Sequence, residues 1–170
     1  MQEYKRIKHT FEPVYARNST ILILGSFPSV KSRELGFYYG HPQNRFWKVM
    51  GSIFENDKNI LDKSSIETKI DFLKRHQVAV WDVIDECDII GSSDSSIKNV
   101  IPSDIKRIIN ESEIKRVFVN GKTAKRLYDK YCFEHTKMEA AVLPSTSPAN
   151  AVYRLENLVD EWKAILELNI

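Results

Sequence analysis

The chain has 170 residues, 42% of them apolar and 28% charged, with 25 Lys and Arg against 23 Asp and Glu. This composition excludes an intrinsically disordered chain, and no apolar run approaches the ~18 residues of a membrane span. The length fits one domain, residues 1–170. Because the N-terminus also lacks an apolar run of secretory length, we expect a cytoplasmic protein with no membrane partner.

The charge and the cysteines limit the kinds of partner. With a net charge of +2, a nucleic acid would have to be held by a local basic face rather than by the whole surface. Cys87 and Cys132 are far apart, and neither stands in a C-x-x-C pair or at ligand spacing from a His. They therefore indicate neither a disulfide framework nor a zinc site, and no metal is expected.

Four short apolar runs predict the strands of a central sheet, and the patterns between them predict helices. In chain order, the expected strands are residues 19–24, 78–83, 116–120 and 140–143. The first helices are expected at residues 45–54 and 64–76, the second opening with the capping-box pattern Ser64-x-x-Glu67. Helical spacing recurs behind Ser103 and Asp104, at residues 122–131 and at residues 151–168. Residues before 19 carry no regular pattern.

Strands that alternate with helices predict an α/β fold, a three-layer sandwich whose central, mostly parallel four-stranded sheet is flanked by helices. In such sheets ligands bind beyond the carboxyl ends of the strands. The candidate functional segments are therefore those that follow the expected strands: residues 25–29, Asp82, residues 120–121 and residues 144–148.

Two loops rich in Pro and Ser follow two of these strands. The first, G-S-F-P-S at residues 25–29, matches neither the Walker loop nor the dinucleotide fingerprint. It is either a plain Gly-Pro turn or a turn at which Ser26 and Ser29 meet a phosphate. The second, L-P-S-T-S-P-A-N at residues 143–150, offers the hydroxyls of Ser145, Thr146 and Ser147 for the same purpose, although Asn150 could simply cap the last helix.

The segment G-F-Y-Y-G-H-P-Q-N-R-F-W, residues 36–47, combines aromatic rings with amide groups. Phe46 and Trp47 begin a helical pattern and are expected in the core. His41, Gln43 and Asn44 are harder to explain by packing, because buried imidazoles and amides need hydrogen-bond partners. A flat-sided pocket with amides at its rim suits a nucleobase, which is read by stacking and by hydrogen bonds to its edge.

Together these strings resemble the uracil-DNA glycosylase superfamily, and most closely its hypoxanthine-DNA glycosylase branch. The resemblance is carried by residues 25–29 with H-P-Q-N-R-F-W at 41–47, by W-D-V-I at 81–84 with G-S-S-D-S-S-I at 91–97, and by residues 120–121 with 143–150. It implies a parallel sheet, a DNA groove across the carboxyl ends of the strands and a pocket for a flipped-out base. It also implies hydrolysis of the N-glycosidic bond without a metal or organic cofactor.

The sequence departs from the best-known members of that superfamily at two positions. Phe27 stands where many of them carry a catalytic Asp or Asn in the first loop, so the resemblance to the hypoxanthine branch assigns the essential amide to Asn44 instead. Leu143 stands where uracil-specific members carry a His that stabilises the departing uracil, which disfavours efficient uracil removal. The expected substrate is therefore hypoxanthine in DNA.

The resemblance and the chemistry of the side chains suggest roles for these residues. Since an Asn is a poor proton acceptor, we expect Asn44 to orient the attacking water through its carbonyl oxygen. Asp82 either caps a loop or accepts the N1–H of hypoxanthine, a donor that adenine lacks. His41 either donates a proton to the leaving purine or braces its loop. Phe27 and Tyr39 are the expected stacking partners of the base. Contacts to DNA phosphates are expected from Ser26, Ser29, Arg45, Ser145 and Ser147.

Three other functions fit parts of the sequence. One is a glycosylase for uracil or for a broader set of deaminated bases. Another is a non-catalytic module that binds nucleic acid through the same aromatic segment. A serine hydrolase is the third, but its nucleophile elbow, G-x-S-x-G, is missing. The favoured interpretation is a glycosylase that acts as a monomer on DNA containing a deaminated base.

Overall fold

A computed structural model describes residues 2–167 of the chain. Its strands are β1 Lys5–Lys8, β2 Ile21–Gly25, β3 Val78–Asp82, β4 Ile84–Ile89, β5 Lys98–Pro102, β6 Arg116–Asn120 and β7 Ala140–Leu143. Its helices are α1 Val30–Leu35, α2 Phe46–Glu55, α3 Ile66–Arg75, α4 Ile105–Asn110, α5 Lys122–Tyr131, α6 Phe133–Thr136 and α7 Leu155–Trp162. Short 3₁₀ turns lie at Asp94–Ser96 and Lys163–Leu166. Within residues 2–167, no helix is both long enough and apolar enough to cross a membrane.

A four-stranded parallel sheet in the order β3-β2-β6-β7 forms the centre of the molecule. The middle residues of its strands, such as Ile23 and Val80, have no exposed surface, which is why these strands are continuous apolar runs. The crossovers from β2 to β3 and from β6 to β7 run in opposite directions across the sheet, so right-handed connections place α3 and α5 on opposite faces. The predicted α/β fold with four parallel strands is confirmed.

A second, antiparallel sheet of three strands, in the order β1-β4-β5, is absent from the sequence prediction, which assigns no element before residue 19. Three of the four residues of β1 are exposed, so no apolar period marks the strand. It is held instead by pairing with β4 and by Arg6, whose guanidinium lies 3.0 Å from a carboxylate oxygen of Glu86 and 3.4 Å from one of Asp88. This pairing brings the N-terminal segment to the end of the central sheet.

Two predicted helix starts are corrected by hydrogen bonds. The cap of α3 is Ser65, whose hydroxyl accepts from the Thr68 N–H, whereas the Ser64 hydroxyl donates to the Leu61 carbonyl. The predicted capping box is therefore wrong by one residue.

The last helix begins at Leu155 rather than at residue 151. The Arg45 guanidinium binds the carbonyls of Asn150 and Tyr153, which a longer helix would need for its own ladder. Asn150 does not cap this helix, because its amide donates to the Ser145 carbonyl. The predicted end of the helix, Leu168, lies outside the described residues.

Aromatic packing between α2 and α7 fixes the loop after β7. Phe46 and Trp47 are buried, as predicted, and the Phe46 ring contacts the Trp162 ring edge-on at 5.8 Å between centroids. The indole N–H of Trp162, also fully buried, donates to the Pro144 carbonyl at 2.9 Å. The loop that follows β7 is therefore anchored at its first residue by the core.

Candidate active site

A cleft of about 590 Å³ opens at the carboxyl ends of β2, β3, β6 and β7. Its walls are the loops after β2 and β7, the segment before α2, and the loop between β4 and β5. It brings together nearly all of the side chains that the sequence singled out, whereas Gln43 and Arg45 do not line it. The residues in question are Ser26, Phe27, Ser29, Tyr39, His41, Asn44, Asp82, Ser145 and Ser147.

The amide of Asn44 has a fixed orientation. Its Oδ1 accepts hydrogen bonds from the Phe46 N–H and from the Thr146 hydroxyl, both at 2.9 Å. A carbonyl oxygen has two lone pairs, so both are used. The amide nitrogen Nδ2 is the end that has no partner within residues 2–167. The expectation that the Asn44 carbonyl oxygen orients water is thereby corrected, because Asn44 offers the cleft a donor instead.

Thr146 and Asn120 hold that amide in place. The Thr146 side chain is fully buried, and its hydroxyl accepts from Asn120 Nδ2 at 3.0 Å while it donates to Asn44. Asn120 Oδ1 in turn accepts from the Thr146 N–H at 3.0 Å. Thr146 was expected from the sequence to offer its hydroxyl to a phosphate, and neither residue was expected to hold Asn44, although Asn120 ends β6 and Thr146 stands in the loop after β7. They form a continuous chain of hydrogen bonds from the end of β6 to the start of α2.

Arg45 braces the loop after β7 from behind. Its guanidinium donates to the carbonyls of Thr146, Tyr153, Ser147 and Asn150, the Ser147 bond being 2.7 Å long. These bonds occupy most of the five N–H donors of an Arg. Arg45 was expected to contact a DNA phosphate. Its guanidinium instead holds the loop after β7 and does not line the cleft.

Ser145 and Ser147 keep their hydroxyl protons available. The Ser145 oxygen accepts from the Ser147 N–H and the Ser147 oxygen accepts from the Ala149 N–H, each at 3.2 Å. Neither hydroxyl donates to another group within residues 2–167. Gly121 permits this arrangement, because its φ is +99°, in the left-handed region that favours glycine, and a Cβ there would lie only 3.1 Å from the Cβ of Ser145.

The two serines of the first loop are engaged within the protein. Ser29 caps α1, accepting from the Ser32 N–H and donating to the Ser32 hydroxyl, both at 3.2 Å. The Ser26 hydroxyl is shared between the two carboxylate oxygens of Asp94, each at 3.1 Å. An adjacent carboxylate would repel a phosphate, which disfavours the phosphate contact predicted for Ser26.

The two candidate stacking residues differ in their surroundings. The Tyr39 ring stacks on Phe46 with centroids 4.0 Å apart, so one of its faces is covered. Its hydroxyl is buried and has no hydrogen-bond partner in the described part of the chain, and burial together with the Asp82 charge holds its pKa far above the usual range. It therefore remains a neutral donor. Phe27 is almost buried, and the Arg33 guanidinium lies 5.7 Å from its ring centroid.

Asp82 ends β3 at the floor of the cleft and is held by a residue that the sequence did not single out. Its Oδ2 lies 2.8 Å from Nε2 of His9, and both side chains are at least 95% buried. His9 reaches this point because β1 pairs with β4 and the His9 N–H donates to the Asp85 carbonyl. No sequence pattern predicts the contact between His9 and Asp82, because it depends on the second sheet, which the sequence did not predict.

Asp94 is a further acidic side chain on the cleft wall that the sequence did not single out. It lies in the serine-rich segment between β4 and β5 and is half-buried. Burial raises the pKa of its carboxyl group and the Asp82 charge adds to this, whereas the Ser26 hydrogen bond opposes it. The cleft therefore contains two carboxyl groups in different environments, Asp82 beside His9 and Asp94 beside Ser26.

His41 lies at the rim of the cleft and is half-exposed. Its Nδ1 accepts from the Gln43 N–H at 3.1 Å, which leaves Nε2 as the protonated nitrogen of the neutral ring. The bond braces the loop, and the same tautomer presents a donor. Within residues 2–167, no group of three or more His, Cys, Asp or Glu side chains could hold a metal ion.

The comparisons with known proteins agree with this geometry. The family model described as the uracil DNA glycosylase superfamily matches residues 12–169. The chain belongs to this superfamily. A curated hypoxanthine DNA glycosylase from Methanosarcina acetivorans is 34% identical over 163 residues, which cover 94% of this chain and 98% of the relative. One from Methanosarcina barkeri is 35% identical over 116 residues, 68% of this chain and 72% of the relative.

A solved structure shares the architecture of this superfamily member. The solution NMR structure of a candidate uracil DNA glycosylase from Methanosarcina acetivorans superposes with a TM-score of 0.76 at 32% identity. The match covers 91% of this chain and 93% of the other. The likeness therefore extends over nearly the whole fold, including the elements that form the cleft.

The contact between His9 and Asp82 generates a stability prediction for this superfamily member. We expect His9→Ala to lower the free energy of unfolding by about 3 kcal/mol, because it leaves the buried Asp82 carboxyl group without its partner. Urea unfolding measures the change, and His135→Ala, at an exposed position of α6, is the control, with an expected change within about 0.5 kcal/mol. Equal losses in the two variants would contradict the importance of the buried pair.

Proposed function

We propose that the protein is a monofunctional DNA glycosylase that removes hypoxanthine from deoxyinosine in DNA and leaves an abasic site. The observation that carries the substrate assignment is the Asp82 side chain, fixed by His9 at the floor of a cleft large enough for a base. An ionised carboxylate only accepts hydrogen bonds, and hypoxanthine presents a donor at N1 where adenine presents an acceptor. The curated relatives named hypoxanthine DNA glycosylase support the same substrate.

The reaction breaks the bond between C1′ and N9, and the electron pair leaves with the base. As in other glycoside hydrolyses, the sugar develops oxocarbenium character and water must attack C1′. The Asn44 amide N–H donates to the oxygen of that water and so positions it, while the Asn44 carbonyl is held by Phe46 and Thr146. His41, through Nε2–H, donates a hydrogen bond that stabilises the departing purine anion, which then takes its proton from solvent.

DNA is held by groups at the edge of the cleft. The Ser145 and Ser147 hydroxyls, with their protons free, donate to phosphate oxygens. Phe27 and the open face of Tyr39 contact the faces of the extruded base, at about 1–3 kcal/mol for each stacked ring. We further propose that residues 1–170 act as a single domain and as a monomer in the cytoplasm; the family match across residues 12–169 supports the single domain.

The function is tested with duplex and single-stranded oligonucleotides that contain one inosine, xanthine, uracil or adenine. Released base is identified by mass spectrometry, and abasic sites are scored by alkaline cleavage. We expect free hypoxanthine from inosine. A nucleic-acid-binding module would retain the oligonucleotide but release no base, and preferential release of uracil would replace the proposed substrate.

Asn44 is expected to be essential for activity and dispensable for folding. Asn44→Ala should reduce the single-turnover rate on inosine by at least about 100-fold, since a positioned reactant is worth several kcal/mol. Asn44→Asp keeps an accepting oxygen for Phe46 and Thr146 but replaces the donor, so we expect a similar loss. The control is Gln43→Ala, an exposed neighbouring amide that does not line the cleft. Near-normal turnover of Asn44→Asp would show that the carbonyl oxygen, not the amide N–H, is the functional group.

Asp82 is expected to decide between hypoxanthine and adenine. In Asp82→Asn the side chain presents either a donor or an acceptor, so the ratio of hypoxanthine to adenine excision should fall by about 10-fold or more. The control is Asp71→Asn, which removes one exposed carboxylate from α3. The ratio is measured from paired single-turnover rates. An unchanged ratio would contradict a role of Asp82 in base selection and leave it only a structural role, the contact with His9.

A further inference from the structure

The cleft needs a proton acceptor, and its described lining offers few. Water that attacks C1′ must lose a proton, but Phe27 has no acceptor and Asn44 faces the cleft with an amide N–H. Two carboxyl groups line the cleft, those of Asp82 and Asp94. Asp82 is already bonded to His9, at 2.8 Å. Asp94 has no Lys, Arg or His nitrogen within 4.0 Å among residues 2–167.

Asp94 also has lone pairs to spare. One Ser26 hydroxyl proton is shared between its two oxygens, at 3.1 Å to each. A carboxylate has about four acceptor positions, so most of those of Asp94, which lines the cleft, have no donor within residues 2–167. The Ser26 bond connects the loop after β2 with the loop between β4 and β5, two walls of the same cleft. It therefore fixes where the carboxylate stands without consuming its capacity to accept a proton.

The backbone that carries Asp94 is held on both sides by serine side chains. The Ser92 hydroxyl accepts from the Val30 N–H at 2.9 Å. The Ser96 hydroxyl accepts from the Ile90 N–H at 2.8 Å and donates to the Ser93 carbonyl at 2.7 Å. These bonds fix the backbone of the serine-rich segment on both sides of Asp94 and so hold the Asp94 side chain in a defined position.

The charges around Asp94 suit a base in this reaction. Asp82, on β3, and burial raise the pKa of the Asp94 carboxyl group, whereas Ser26, on the loop after β2, and Arg126, on α5, lower it. A base with a raised pKa takes a proton more readily near neutral pH. A negative charge at this wall also stabilises the oxocarbenium character of the sugar.

We propose that Asp94 is the general base of the reaction, which extends the glycosylase function proposed above and depends on it. The water oxygen forms the bond to C1′, the bond between C1′ and N9 breaks with its electron pair going to hypoxanthine, and one water proton passes to Asp94. The purine anion, stabilised by the hydrogen bond from His41 Nε2–H, takes a proton from solvent, and Asp94 returns its proton to solvent after the product leaves. No other reactant is required.

The test compares Asp94→Asn with the matched charge control Asp71→Asn on inosine-containing DNA. We expect Asp94→Asn to lower the single-turnover rate by about 100-fold or more. The affinity for DNA should not fall, so the dissociation constant should not increase. The acid limb of the pH–rate profile, where protonation of Asp94 stops the reaction, should disappear in this variant. A rate within about threefold of Asp71→Asn, with the acid limb intact, would overturn the proposal.

Ser26→Ala provides an independent readout. The Ser26 hydrogen bond lowers the pKa of Asp94, so its removal should move the acid limb of the profile to higher pH. A purely structural role for Asp94 predicts no such movement, and an unmoved limb would contradict the proposal even if Asp94→Asn fails to fold.

Failure of the proposed function and failure of the Asp94 role give different results. If the wild-type protein releases no base from inosine, the proposed function fails. If the wild-type protein does release it and both variants behave like the wild type, only the role of Asp94 fails.

Discussion

The site depends on one constraint, the chain of hydrogen bonds from Asn120 through Thr146 to Asn44. It joins the end of β6, the loop after β7 and the start of α2, which are brought together only in the folded protein. Because the Thr146 hydroxyl and the Phe46 N–H occupy both lone pairs of the Asn44 carbonyl, the amide cannot turn over without leaving buried groups unpaired. The packing of the core and the direction of the Asn44 amide, the proposed catalytic donor, are thus coupled.

This constraint divides the cleft by chemistry. The segment before α2 and the loop after β7 present donors, the Asn44 amide N–H and the protons of Ser145 and Ser147, while the end of β3 and the loop between β4 and β5 present Asp82 and Asp94. Donors suit phosphate and water oxygens, and carboxylates suit a base N–H and a cationic sugar. A deoxynucleotide flipped into the cleft needs both kinds of group at once.

The sequence predicted what local patterns can encode. The four parallel strands are buried on both faces and read as apolar runs, and the loops that follow them were correctly expected to meet at one edge. The resemblance supplied Asn44 and Asp82. It could not supply the direction of the Asn44 amide, the partner His9 or the placement of Asp94, because these depend on side-chain bonds across 102, 73 and 68 residues. The strand that brings His9 to the site is held by charges and backbone pairing, so no apolar period marks it.

The most direct test of this account is the single-turnover rate of Thr146→Val on inosine-containing DNA. Valine preserves the shape of the side chain but removes the hydroxyl that holds Asn44 and accepts from Asn120. The account predicts a rate at least about 10-fold below that of the wild type, in a protein that still folds and has lost about 1–3 kcal/mol of unfolding free energy. A Thr146→Val protein that releases hypoxanthine at the wild-type rate would contradict the central role of the hydrogen-bond chain.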